Sequence, residues 1–546
     1  MMSKCQWLGQ RGSAGMILAI LWVCLSGVGG CTTGPRFIPS EARTPIDRKV
    51  MEYPRAFLLQ LAADGLTAPS AIAFVTEDGE YKGSILVAES GADGRAPRIF
   101  GWKSDHTYFS IYPHGRQIPT FGLLPHQKDI YGPIGGMAVS QGRIYVTHRD
   151  SQGRGVVSAF KFDGSRETIV GDLPAEGDYG VTDIAVNPIN SRVYFGVGAA
   201  TNSGIVGLDN WSWVQKHPNF CDQPAQNLRL LGFKYLTKNP LAGLFGGDDN
   251  VETGPFQPFG KNKALRIPAA SNGKPTAAIF SASPGGGDVQ LEAWGIRYPR
   301  GLAFLTPENR GWTQLYATNE GMELRGSRPV KDDPDALYRI DRGGFYGWPD
   351  YSANLKPISD EFFLPPPEIM SRNSYPEALS FLIDHAGQPA SPGRPAVPPV
   401  PDPTVYRAAA LVGEFSPLSG AAKLDFVPTN IGFGAFEGRA IVALAGDRAP
   451  FATSGIKLKD YIGYKVVIAD LTNKPEDFIR NTEGVPASKL GRGVVALERP
   501  IDVKFGPDGK LYILDYGQME MRGSREKITP GTGRIFVLEP APASAR

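Results

Sequence analysis

One two-part pattern recurs six times along the chain: a short apolar tetrad, a turn, and a β-rich run. It reads AIAF (71–74) then ILVAES, GMAV (136–139) then IYVTHR, DIAV (183–186) then VYFGVG, GLAF (301–304) then LYATNE, KLDF (423–426) then IVALAG, and DVKF (502–505) then LYILDY. Apolar residues alternate with small or polar ones in each copy, and turn chemistry such as Gly506-Pro507-Asp508-Gly509 or Asn187-Pro188-Ile189-Asn190 joins the halves. A single hairpin cannot bury its own apolar face. Six similar units separated by unequal insertions bury theirs best by radial stacking, so the pattern predicts an all-β fold, a six-bladed β-propeller with long inter-strand insertions. A β-sandwich pair with coincidentally similar strands is the alternative, and the near absence of helical periodicity between copies counts against it.

The rest of the composition agrees. Gly at 66 and Pro at 47 fit a chain of many turns and few long helices. Lys and Arg total 57 against 55 Asp and Glu, with no long block of either sign, which argues against nucleic acid or a polybasic membrane patch as partner. The stretch GQPASPGRPAVPPVPDP (387–403) reads as a proline-rich, polyproline-like surface insertion.

The N-terminal segment reads as an export signal. Lys4 and Arg11 precede the apolar run MILAILWVCLSGV (16–28), which is short for a membrane span and ends at Val28-Gly29-Gly30-Cys31. That junction resembles a lipobox, so the expected product is a lipoprotein cut before Cys31, acylated there and tethered in the bacterial cell envelope; Thr32 in place of an Asp points to the outer membrane. An ordinary secretory signal or an uncleaved anchor are the alternatives. After cleavage only Cys31 and Cys221 remain, so no internal disulfide framework is available and stability rests on core burial. The expected organisation is a signal over 1–30, a tether and lead-in over 31–64, the propeller over 65–540, and a tail over 541–546.

Function should sit in the loops that follow equivalent strands. After the fourth and sixth copies the motif Met-Glu-(Leu/Met)-Arg-Gly-Ser-Arg recurs, at 322–328 and 519–525. Arg325, Arg328, Arg522 and Arg525 could therefore border one rim, where their planar forks suit carboxylate or phosphate oxygens. The competing arrangement is a loop brace, with Glu323 and Glu520 pairing with their own arginines, and it is favoured for at least one arginine of each copy. Other local chemistry is thin. The six histidines show no zinc spacing, Lys331-Asp332-Asp333-Pro334-Asp335 lacks the following Gly and Glu of an EF-hand, and no nucleophile elbow or Walker motif occurs.

AWGIRYPRGLAF (293–304), LYATNEG, RGSRP, DPDALYRI and GGFYGWPDY (343–351) resemble the glucose/sorbosone dehydrogenase family. So do GPIGGMAV with GRIYVTHRD, ATNSGIVGLDN (200–210) and RPIDVKFGPDGKLYILDYG (499–517), the similarity running from Gly65 to Leu538. The resemblance implies a propeller that uses pyrroloquinoline quinone (PQQ) and calcium to oxidise a sugar or polyol and pass electrons to an acceptor. Carried over by position, the family's catalytic histidine falls on Tyr179, five residues before Ile184. Its cofactor-contacting Arg-Asn falls on Arg297 and Tyr298, which keeps the arginine and loses the amide. The calcium-binding carbonyls map to Gly321 and Met322, and one quinone-carboxylate arginine to Arg499, while its companion position holds Ile501. Tyrosine ionises near 10 and needs a close cation to act as a base, which Arg297 could supply; Asp178 and Asp183 are the runner-up bases. The resemblance therefore leaves two readings: an extracytoplasmic quinone-dependent sugar oxidoreductase, or a non-catalytic surface propeller that binds saccharide or a protein partner.

Overall fold

The structure is a computed structural model that describes residues 34–542, apart from 115–129, 243–247, 307–311, 374–378 and 473–474. Cys31 and its junction lie outside the described residues, as does the end of the C-terminal tail.

Each sequence copy forms the inner two strands of one antiparallel blade. Blade one is Pro69–Phe74, Ile85–Glu89, Arg98–Trp102 and Tyr108–Tyr112, and blade two is Met137–Ser140, Arg143–Arg149, Gly155–Phe160 and Arg166–Leu173. Blade three (Val181–Val186, Val193–Val197, Ala278–Ala282, Gln290–Trp294) gains a parallel fifth strand, Gly344–Phe345. Blade four is Pro299–Leu305, Gln314–Asn319, Asp335–Arg339 and Leu411–Phe415. Blade five begins at Ala421–Phe426 and continues through Ala440–Leu444, Lys465–Ala469 and Pro475–Asn481; blade six runs Pro500–Phe505, Leu511–Asp515 and Gly533–Pro540. The six inner strands pack side by side in a closed ring, so the six-bladed propeller expected from the repeat is the observed fold.

Within the tether and lead-in expected over 31–64, the described residues add strands to the propeller. Phe57–Leu66 is the outer partner of Gly533–Pro540 in blade six, with Arg36–Phe37 beyond it, and Met51–Glu52 extends blade five. Sewing an N-terminal strand onto the last blade closes the ring and covers an edge that would otherwise be open. The proline-rich stretch also differs from a free polyproline tract. Gln388 and Val397 exchange two main-chain hydrogen bonds of 2.7 Å, Val397 and Val400 are buried, and Arg266 donates to the Pro395 carbonyl.

The first residues of the six tetrads meet at the axis. They are Ala71, Gly136, Asp183, Gly301, Lys423 and Asp502. Lys423 Nζ lies 3.0 Å from Asp183 and 3.8 Å from Asp502, all three buried. Asp183 also accepts from the Leu302 amide of blade four, and Asp502 from the Ile72 amide of blade one. Small residues are required opposite: a Cβ on Gly136 would sit 2.5 Å from Asp183 Oδ1, and one on Gly301 2.7 Å from Lys423 Cα. Asp183 is thus committed to joining blades and is no base. Threonine hydroxyls add further stitches between neighbouring blades, from Thr147 to the Thr182 carbonyl, Thr182 to Pro299, and Thr318 to Ala422.

Candidate functional site

In a four-stranded meander, the segment entering the first strand and the loop leaving the second emerge at the same end. Tyr179, Arg297 and Arg499 lie just before inner strands, while Asn202, Glu323 and Arg448 lie just after second strands, so blades three to six place them on one face. The fit is tight where it must be. A Cβ on Gly198 would clash with Cβ of Tyr179, so glycine there makes room for the tyrosine.

Tyr179 is buried at the centre of a charged cluster. Its hydroxyl accepts from Arg297 Nη2 and from Arg325 Nη2 (2.7 Å) and donates to Glu323 Oε2 (3.3 Å). The ring packs at 4.6 Å on that of half-buried Tyr298, and the guanidinium of Arg448 lies over both rings. Burial pushes the phenol well above its ordinary value, and the fields of Arg297 and Arg325 only partly offset this. The phenol therefore keeps its proton near neutral pH, in contrast to the base that cation-assisted ionisation would make of it.

Glu323 is held the other way. Burial, the largest single influence, would raise its carboxyl, but Arg448, Arg325 and Arg297 together outweigh it and hold the group ionised far below the usual range. Arg448 bridges Glu320 (3.0 Å) and Glu323 (2.5 Å), and Arg300 also pairs with Glu320. Ser454 donates to the Leu324 carbonyl and Phe451 lies under the Arg325 guanidinium, so the loop that carries Arg448 is fastened over the cluster.

The repeated arginines part company. Arg325 is buried against Asp178 (2.7 Å), Asp209 (2.5 Å) and Glu323, while Arg328 is enclosed by Asp350 (3.2 Å) and the carbonyls of Ser203, Pro349 and Ser380. Arg522 and Arg525 instead occupy an exposed hairpin formed by Met519–Arg522 and Arg525–Ile528, where Glu520 stands 3.8 Å from Arg522. The four do not border one rim. In the fourth copy both arginines are internal braces.

Arg297 donates to the carbonyls of Gly321 (2.5 Å) and Glu320 (3.3 Å), so a cation already stands at the turn assigned to calcium. Asp335 accepts from the Gly321 amide and Asp333 from the Met322 amide, which gives the acidic run 331–335 its task of fixing this turn. Arg499 points inward. Its Nη1 serves the carbonyls of Ala445, Gly446 and Asp447, and Nη2 reaches the Tyr464 hydroxyl. Among the described residues no group of three or more His, Cys, Asp and Glu side chains is arranged to hold a metal.

The chain is similar to sugar-dehydrogenase propellers. Among solved structures it matches the holo form of the pyranose dehydrogenase PQQ domain from Coprinopsis cinerea at 13% identity, over 91% of this chain and 98% of that one, with a TM-score of 0.46. A glucose dehydrogenase matches at 14% over 89% and 99% (TM-score 0.44), and a putative oxidoreductase (glucose dehydrogenase) from Thermus thermophilus at 15% over 88% and 99% (TM-score 0.42). No family model and no curated protein matches the chain. At these identities the likeness concerns the fold, and what the face does rests on its own residues.

Three residues central to the site escaped sequence reasoning. Asn202 is fully engaged: Nδ2 donates to the Glu323 and Arg325 carbonyls, Oδ1 accepts from Arg297 and the Glu323 amide, and its carbonyl accepts from Arg297 and Trp348. Arg448 lies in a loop without a repeated motif. Asp209, beside Asp178 and Arg325, is raised by burial to about 6 even though Arg325 opposes the shift. The one available signal was the segment ATNSGIVGLDN, which contains both Asn202 and Asp209.

Proposed function

We propose that the chain is an extracytoplasmic oxidoreductase of the sugar-dehydrogenase type, acting on an aldose, a sorbosone-like sugar or a polyol and passing electrons to an external acceptor. The observation that supports it is the meeting of Tyr179 and Arg297 on the loop face, at the two positions where the resemblance puts the proton-handling residue and the cofactor arginine. In this reading Tyr179 holds its proton and positions Glu323 and the arginines. Asp209, half-buried at the edge of the cluster with its carboxyl raised to about 6, is the group whose proton affinity suits removal of a hydroxyl proton. The protein works in the cell envelope, anchored through acylated Cys31, with the outer membrane as the destination.

The cofactor residues do not fit as the resemblance implies. A calcium ion at the Gly321 turn would meet Arg297, and a quinone carboxylate would find Arg499 engaged with main-chain carbonyls and Ile501 at the companion position. That observation favours a second reading, a non-catalytic propeller that binds saccharide or a protein partner on the same face. One experiment separates them. The purified protein is titrated with PQQ, following tryptophan quenching, and then assayed with a panel of aldoses and polyols and an artificial electron acceptor. Saturable quinone binding with sugar-dependent acceptor reduction, lost in Asp209→Asn, supports the oxidoreductase; saccharide binding with no quinone binding overturns it in favour of the second reading.

A further inference from the structure

The guanidinium of Arg297 sits in a cage of oxygen atoms. Nε donates to the Asn202 carbonyl (3.0 Å), Nη1 to the carbonyls of Glu320 (3.3 Å) and Gly321 (2.5 Å), and Nη2 to Asn202 Oδ1 (2.8 Å) and the Tyr179 hydroxyl. The Glu323 carboxylate lies 3.3 Å from Nη2, and the arginine side chain is 1% exposed. Three main-chain carbonyls, an amide oxygen, a phenol and a carboxylate are the donor types that calcium takes from a protein. The cage does not owe its shape to the arginine. Asp335 holds the Gly321 amide, Asp333 holds those of Met322 and Ala353, and a Cβ on Gly321 would clash with the Pro334 carbonyl, so the turn is packed from behind.

We propose that Arg297 is a built-in cation standing where a metal ion would otherwise bind: the native chain takes no calcium at the Gly321 turn, and removing the guanidinium opens a calcium site there. Calcium cannot enter while the guanidinium fills the cage: Arg325 already shares the Tyr179 hydroxyl and Glu323 with Arg297, and a further divalent charge at contact is repelled strongly where water is excluded. Removing the arginine takes from the Glu320 and Gly321 carbonyls their side-chain donor and leaves Asn202 Oδ1, the Tyr179 hydroxyl and the Glu323 carboxylate one cation short, a state that a divalent ion relieves. This holds whether or not the chain oxidises sugars, since it concerns only the oxygens around Arg297.

The test compares thermal melting of the wild type, R297A and R297K, each in EDTA and in calcium chloride in the millimolar range, with calcium titrated into each by calorimetry. The wild type and R297K should shift by less than about 1 °C and give no binding heat, while R297A should melt lower in EDTA and regain about 2–4 °C in calcium. R297M takes the place of R297A should the latter fail to fold. A calcium-dependent rise in the wild type that EDTA reverses would overturn the proposal, as would a folded R297A or R297M that calcium neither binds nor stabilises. Activity is not read in any arm, so the outcome is independent of the oxidoreductase assay.

Discussion

The hydroxyl of Tyr179 lies 2.7 Å from Nη2 of Arg325, a residue 146 positions later in the chain. The contact joins the segment entering blade three to the loop leaving the second strand of blade four. It explains why two features that looked separate in the sequence, the tyrosine at 179 and the fourth copy of the arginine-rich motif, are parts of one structure.

Tyr179→Phe should remove an acceptor from two buried guanidiniums and a donor from Glu323. Buried groups left unpaired cost about 1–3 kcal/mol, which a urea midpoint at constant m-value will show. Tyr179→His supplies a nitrogen in the same place. It should recover part of that stability, and under the oxidoreductase reading it should raise sugar-dependent acceptor reduction above that of Tyr179→Phe.

Arg328 and Arg525 occupy matching places in the repeated motif and should behave oppositely. Arg328→Met strands Asp350, which is fully buried beside His385 and the amides of Leu382 and Ile383, and should cost about 3–5 kcal/mol. Arg525→Ala removes an exposed hairpin side chain and should change stability by less than about 0.5 kcal/mol. Equal losses in the two variants would refute the division into brace and surface hairpin.

Lys423→Met should leave Asp183 and Asp502 facing each other at the propeller axis. Burial already raises the Asp502 carboxyl to about 6 against the pull of Lys423. A carboxyl raised in the folded state contributes stability that is present at low pH and lost as pH rises through its folded value. The variant's deficit should therefore be larger at pH 8 than at pH 5, and adding Asp502→Asn should shrink it. Denaturant midpoints at the two pH values measure both effects.

His148 gives a pH dependence of opposite sign. Its imidazole is buried between Ser158 Oγ (2.8 Å) and the Arg149 carbonyl (2.7 Å), and burial lowers it from 6.5 to about 4. A histidine lowered in the folded state stabilises above its unfolded value and withdraws that support as pH falls. Between pH 6.5 and 4 the wild type should lose about 3 kcal/mol that His148→Gln does not lose. Parallel stability profiles for the two proteins over this window would contradict the assignment.

The repeat was legible because each tetrad and its following run is a local unit: alternation of apolar residues over four to six positions marks a half-buried strand whatever lies elsewhere. Six such units left radial stacking as the economical burial of six faces, and the blades follow the copies one for one. The family resemblance singled out Tyr179, Arg297 and Arg499, and the repeat adds that all three precede inner strands, since spacing from a strand start fixes the end of the blade on which a residue emerges. Their contacts were not legible. Whether Arg325 meets solvent or three carboxylates depends on loops contributed by blades three and four, and whether Arg297 faces an open cup depends on Asn202, 95 residues away, and on Glu323 beneath the loop of blade five. Closure by Phe57–Leu66 likewise shows no local mark, because any strand of alternating residues could pair with that edge. Local patterning determines which segments become strands and which end of the propeller each loop serves. The charge state of Tyr179, the burial of the arginines and the filling of the oxygen cage were decided only when the ring closed, because desolvation and ion pairing depend on every element packed around a group, and sequence distance carries no record of that packing.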